Sequence, residues 1–385
     1  MTIKIIYANI ALYLLKYNGL NEDIMQITSI NEADNKVIYN DYLQNITRHK
    51  KDEKYRFAIS ITLILIIILF VIFVLSFTLG RYCIKINDLI ITIYQRIIGD
   101  PNINMTNYRI VMYIRFPRIM LTMLVGASLS ASGAVYQSLF QNPMASPDIL
   151  GCSNGAATGA AIAILLNFSK IGITLVSFFC SLLSIFLVYI IANRFHSNKV
   201  LNLILSGIMI SSIFSAITSY IKLIADPSNK LPAITYWLMG SFSGITLKEL
   251  NYAIIPIIVT LIFLIKISWQ LNTLSLSEDE AKSLGVNIKL YRIIFIIIST
   301  ILTATSVAFS GTIGYVGLCV PHFSRKIIGN NNQYLIPISA INGAIFLLIV
   351  DNISRNLLVS EIPIGILTSF IGAPFFIILL MRKDS

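Results

Sequence analysis

The sequence predicts an all-α polytopic membrane protein with about ten transmembrane helices, on three observations. Hydrophobic residues make up 56% of the 385 and charged residues only 12%, with a mean hydropathy of +0.78. That composition excludes a soluble globular chain. Apolar runs long enough to cross a bilayer, at roughly 20 residues per crossing, recur from residue 58 to the end. Finally, the formal net charge of +11 follows the connections between runs, as the positive-inside rule expects, rather than forming a basic nucleic-acid face.

Residues 1–57 hold eight basic and seven acidic residues and no spanning run. They are expected to form a cytoplasmic extension, with an amphipathic helix possible near its start (Ile3, Ile6, Tyr7, Ile10, Leu14, Tyr17). A secretory signal is a poor reading of this stretch, because no small-residue cleavage site follows the apolar part. Ten apolar segments follow, at 58–79, 117–140, 149–167, 170–192, 201–225, 249–268, 290–311, 313–328, 335–353 and 363–381. The eighth is short for a crossing and contains Pro321.

An even number of crossings places both termini on one side. With that side inside, cytoplasmic connections carry fifteen Lys and Arg against five outside, once the long stretch between the first two segments, with Arg81, Lys85, Arg96, Arg109, Arg115 and Arg118, is set aside. Both termini are therefore expected in the cytoplasm.

Within the segments, Gly126, Ser130 and Ala134, and again Gly155, Gly159 and Ala163, recur every four residues. This spacing puts small residues on one helical face, where backbones approach closely. The segments carry almost no charge; His322 and Asp351 are the ionisable groups that stand out, which disfavours an ion-coupled secondary carrier. Cys83, Cys152, Cys180 and Cys319 are far apart, with no CxxC, so neither a metal site nor a disulfide framework is expected. No GxxxxGK[ST], HExxH or GxSxG occurs, and no catalytic residue or cofactor is expected.

The connection 271–289 reads LNTLSLSEDEAKSLGVNIK. Ser277 and Glu280 have capping-box spacing, Glu278 and Asp279 fall in the positive first turn, and Gly285 can close the end. A short helix over about 277–285, including Ala281 and Leu284, is expected on the inner side, where a soluble partner could grip it.

The chain carries, in order, Arg115-Phe116-Pro117-Arg118, Gly126-Ala127, Ser132-Gly133, Gln137, Asn142-Pro143-Met144-Ala145, Pro147 and Leu150-Gly151. The run continues through Leu205-Ser206-Gly207, Tyr236 to Ser241, Ala281 to Val286, Gly311 to Gly317, Val320-Pro321-His322, Ile362 to Gly365 and Gly372 to Phe375. These ordered pieces resemble the FecCD-type permeases, the membrane subunits of type II ABC importers for iron-siderophore complexes, haem and cobalamin. The resemblance covers roughly 58–385 as one ten-helix permease domain; Phe116, Met144 and the extension depart from the usual pattern.

The resemblance implies a permease without enzymatic activity in a prokaryotic cell membrane. Its implied partners are a cytoplasmic ABC ATPase, an extracellular or periplasmic substrate-binding protein, and a second permease subunit, identical or paralogous. It implies binding-protein contacts at Arg115, Arg118 and Arg355, against which stands a role as anchors for membrane lipid phosphates. It also implies a cytoplasmic gate at Asn142 and Met144, with Val200 and Leu201 opposite. ATPase coupling would fall on Ser277, Glu278, Asp279, Glu280, Ala281, Leu284 and Gly285. The expected cargo is a bulky metal chelate, most simply an iron-siderophore; the alternatives are haem or cobalamin within the same family, or a secondary carrier.

Overall fold

The computed structural model describes residues 32–82, 84–98, 104–194, 199–274 and 287–381. The chain divides into two compact units, Met1–Ile61 and Thr62–Ser385. Among the described residues every regular element is a helix.

The first is α1, Glu32–Thr78, in which Tyr55–Thr78 is apolar enough to span. The amphipathic α2, Ile86–Ile98, leads to α3, Met105–Arg109. A π-helical turn, Ile110–Arg115, runs straight into α4, Phe116–Leu139, with Pro117 in its first turn. There the missing Pro N–H would have had no intrahelical partner anyway. The second long helix thus begins at Met105 rather than near 117.

The chain continues with α5 (Cys152–Leu165), α6 (Lys170–Arg194), α7 (Lys199–Ile224) and the short α8 (Lys230–Leu238). Next come α9 (Leu247–Ile267) and the single turn α10 (Gln270–Thr273). The last four are α11 (Ile288–Ser310), α12 (Val316–Ile328), α13 (Asn332–Asn356) and α14 (Ile364–Met381).

Helix α4 is the axis of the second unit, with Leu121, Val125, Leu129 and Tyr136 fully or nearly fully enclosed. Lipid supplies no hydrophobic drive between helices, so close backbone approach must. The small-residue ladders do this. A Cβ on Gly126 would lie 2.3 Å from Gly343 O, and one on Gly343 would lie 2.2 Å from Gly126 O, so α4 and α13 touch backbone to backbone. On α5, Gly155 and Gly159 press against Cys180 O and Val176 O of α6. Between them Ser177, Ser181 and Ser184 donate to the carbonyls of Ala156, Cys152 and Gly151 at 2.9–3.0 Å, so each hydroxyl buried in this seam has an acceptor.

Candidate functional site

Four of the spans are interrupted or short, and their ends meet. At 1.5 Å per residue, α12, with its 13 residues, covers about 20 Å, less than the roughly 30 Å of a hydrocarbon core. Its start packs inside the length of α4, since a Cβ on Gly133 would fall 1.9 Å from Gly317 O. The turn before α5 likewise reaches into the body of α7, where a Cβ on Gly207 would be 2.2 Å from Ile149 O.

The connection between α11 and α12 is stitched to the ends of α8 and α14. Ser241 N donates to Ser310 O at 2.8 Å, Ile364 N to Gly240 O at 2.9 Å, and Gly365 N to Met239 O at 3.0 Å. The Thr312 hydroxyl donates to Leu238 O. Gly240 and Gly311, both at φ +71°, lie so close that a Cβ on Gly311 would meet Trp237 O at 2.2 Å. Glycine is required there by both the left-handed backbone and the contact.

Non-helical backbone at membrane depth is tolerated where it is buried in protein or lines a cavity. Two adjoining cavities lie at this junction. The larger, about 620 Å³, is mostly apolar: Leu238, Met239, Ile366, Phe370, Ala373 and Pro374, with Thr312 and Ser369. The smaller, about 360 Å³, shares Leu238, Thr312 and Gly314 but is polar on its other wall, with Asp148, Ser153, Asn154, Ser215, Thr218, Ser219 and Lys222. Sequence reasoning missed these residues. Yet a signal was present: Ser215, Thr218, Ser219 and Lys222 recur at i, i+3, i+4 and i+7, a polar stripe on an otherwise apolar helix. The expectation that His322 and Asp351 are the ionisable groups of the segments is corrected accordingly, because Lys222 lies within α7 and, with Asp148, lines the smaller cavity.

The three arginines expected on the outside do gather, but on acceptors of their own chain. Arg118 grips Asp351 Oδ1 through Nε (3.0 Å) and Nη2 (2.9 Å), and both Glu361 oxygens through Nη1 at 2.9 Å. Arg355 Nε lies 3.1 Å from Asp351 Oδ2, and its Nη2 reaches Asn352. Arg115 donates to the carbonyls of Phe77 and Tyr82, closing the end of α1. All three are buried, at 5–7% exposure. Asp351, one of the two ionisable groups singled out in the sequence, is the fully enclosed centre of this cluster.

Of the expected gate, Asn142 accepts from Met144 N at 2.9 Å, so this segment is a capped turn after α4. Met144 is exposed, Val200 half-buried and Leu201 exposed. The structure joins the segment after Met144 to α7 at Ile149 and Gly207, about two turns beyond Leu201. The coupling helix expected at 277–285 lies outside the described residues. Just before it, Asn272 accepts from the backbone N (2.9 Å) and Nδ2 (3.0 Å) of Asn332, while its own Nδ2 donates to Asn331 at 2.9 Å. Asn332 in turn accepts from Ser138, at the end of α4, at 2.6 Å.

A polytopic helical chain whose broken helices frame a cavity is a membrane permease in architecture. The chain belongs to the FecCD transport family, whose model matches residues 66–382. It is 38% identical over 318 residues to the molybdate import system permease protein MolB of Haemophilus influenzae, covering 83% of this chain and 94% of that one. A probable iron chelatin transport system permease protein of Helicobacter pylori is 41% identical over 273 residues, covering 71% and 82%. The hemin transport system permease protein HmuU of Yersinia pestis is 34% identical over 294 residues, covering 75% and 88%. Among solved structures, an inward-facing metal-chelate type ABC transporter superposes with a TM-score of 0.76 at 37% identity, over 84% of this chain and 99% of that chain. The protein is a multi-pass membrane permease subunit of an ABC importer, with the type II importer permease fold.

Proposed function

We propose that the chain carries a bulky metal chelate, in the first place an iron-siderophore, into a prokaryotic cytoplasm. A separate ABC ATPase on the inner face drives it, and a substrate-binding protein feeds it from outside. The observation that supports this reading is the cavity pair at the helix junction. Together its apolar and polar walls suit a ligand with an organic shell around a polar centre, and each volume is of the size that takes small organic ligands.

A second permease copy or a paralogue would close the pathway, and both termini would face the cytoplasm, as the basic connections favour. ATP hydrolysis belongs to the partner, gripping 277–285 through Glu278, Asp279 and Glu280. Movement there would reach α4 through Asn272, Asn332 and Ser138. The turn at Asn142 and Met144, with Val200 and Leu201, would narrow the inner end. Arg118 and Arg355 would brace the outer rim on which the binding protein docks. The relative named as a molybdate permease favours a second cargo, a small oxyanion.

The test is uptake of ⁵⁵Fe-labelled chelates by cells of the native strain with and without this chain. Chain-dependent uptake that stops on ATP depletion and survives an ionophore supports the reading. Uptake that follows the proton gradient overturns it in favour of a secondary carrier, and chain-dependent uptake of molybdate alone replaces the chelate by the oxyanion.

A further inference from the structure

The polar wall of the smaller cavity holds one lysine whose charge no described residue pairs with. Lys222 lies in the last turn of α7, is half-buried and lines the cavity. Among the described residues its ammonium has no ion pair and no hydrogen bond. An ionisable group within a spanning helix marks a ligand path more often than a packing detail.

Asp148, on the same wall, is already used. It lies in the short turn before α5 and accepts from the Ser153 hydroxyl, whereas Lys222 makes no hydrogen bond or ion pair among the described residues.

The neighbours of Lys222 are donors of the right kind. Ser219 and Ser215 stand one and two turns before it on the same face, and Asn154 lines the cavity from α5. The Asn154 side chain makes no hydrogen bond among the described residues. Two hydroxyls are committed: Thr218 bonds Thr158 at 2.7 Å and Phe214 O at 2.9 Å, and Ser219 donates to Ser215 O at 2.9 Å. The wall thus combines one cation, one amide and the Ser215 hydroxyl, a set that binds anionic oxygen. The facing cavity offers only Thr312 and Ser369 among apolar groups.

We infer that Lys222, with Ser215 and Asn154, forms a subsite for the anionic oxygen face of the cargo, while the apolar cavity takes its hydrocarbon face. This rests on the transport reading above and adds a selectivity to it: at equal supply, chelates with net negative charge are favoured over neutral ones. An alternative use of Lys222, reaching outward to lipid phosphates, predicts no such selectivity.

The experiment compares wild type with Lys222→Gln in the native strain, with its own partner subunits. The probes are a ferric tris-catecholate (anionic), a ferric tris-hydroxamate (neutral) and molybdate. The measured quantity is the ratio of anionic to neutral chelate uptake at subsaturating concentration. That ratio is independent of how much permease is inserted, and the binding protein is common to both strains. Loss of a charge-assisted contact should lower the ratio roughly tenfold, and Ser219→Glu, which places a carboxylate beside Lys222, should lower it further. If Lys222→Gln does not insert, Ser219→Glu alone reads the same ratio.

An unchanged ratio overturns the inference, whether total uptake is kept or falls equally for all probes, as the lipid-anchor use requires. A wild type that carries only the neutral chelate overturns it as well. A wild type that carries only molybdate refutes the chelate reading but keeps the subsite under test, since Lys222→Gln must then lower molybdate uptake. A wild type that carries none of the three refutes both.

Discussion

Replacing Arg118 by Met, which keeps most of the apolar stem and removes the charge, separates a structural arginine from a docking one. The side chain makes four charge-assisted contacts to two carboxylates. Its loss leaves Asp351, with no exposed side-chain surface, held by Arg355 alone, and turns a cluster of two cations and two anions into one of one and two. Removing one partner of a buried ion pair costs about 3–5 kcal/mol. The lower end applies, since Arg355 remains and Glu361, at 26% exposure, can turn to water.

Arg118→Met should therefore lose about 3 kcal/mol in SDS-titration unfolding of the purified chain, as should Asp351→Asn. The double variant restores the charge balance, so it should lose less than the sum by about 2 kcal/mol, an interaction energy typical of contacting buried groups. Arg118→Glu would bring a third carboxylate into the cluster and should leave little folded protein at all. The opposite result refutes this argument: Arg118→Glu that folds like wild type and loses only binding-protein association, most at low salt where exposed pairs are least screened. The arginine would then be an exposed docking contact.

Gly133→Ala places a methyl against Gly317 O and should cost at least about 2 kcal/mol, read as reduced folded yield, whereas Gly314→Ala, with open space around its Cβ, should insert normally. Changing Glu278, Asp279 and Glu280 together to Lys should abolish co-purification of the ATPase and uptake while insertion is kept; unchanged co-purification would move the coupling contact elsewhere. A chain starting at Arg48 should insert and support ATP-dependent uptake, and converting Arg48, Lys50, Lys51, Lys54 and Arg56 to Gln in it should lower correct insertion. Loss of uptake with normal insertion would make the preceding residues a regulatory or docking element.

The spans and their seams were legible because both are local. Twenty apolar residues announce a crossing, and Gly126 with Ser130 announces a close face, although the sequence alone does not show that Gly343 lies opposite. The second span was read as starting near 117 because Arg109 and Arg115 interrupt the apolar run. In the fold the Arg115 charge is absorbed by the carbonyls of Phe77 and Tyr82, and the helix carries it through a π turn. The arginines at 115, 118 and 355 were legible as a feature, but their partners within the chain were not. Arg118 is separated from Asp351 by 233 residues and from Glu361 by 243, so no spacing rule connects them. The cavity was illegible for a related reason: four chain breaks from distant parts of the sequence form it.

Finding Lys222 and Asp148 on the cavity wall removes one argument against a secondary carrier, namely that the pathway is uncharged, but it does not supply what a carrier needs. A proton relay requires titratable groups in contact, handing the charge from one to the next. Here Asp148 accepts from the Ser153 hydroxyl, and neither it nor Lys222 is ion-paired to another group among the described residues. An isolated fixed charge can select a ligand without coupling its passage to an ion gradient. The energy must then come from outside the pathway. That agrees with the inner polar knot of Asn272, Asn332 and Ser138, which joins the connection expected to meet the ATPase to the end of α4. At the far side of the same helix the Arg118 cluster ties α4 to α13.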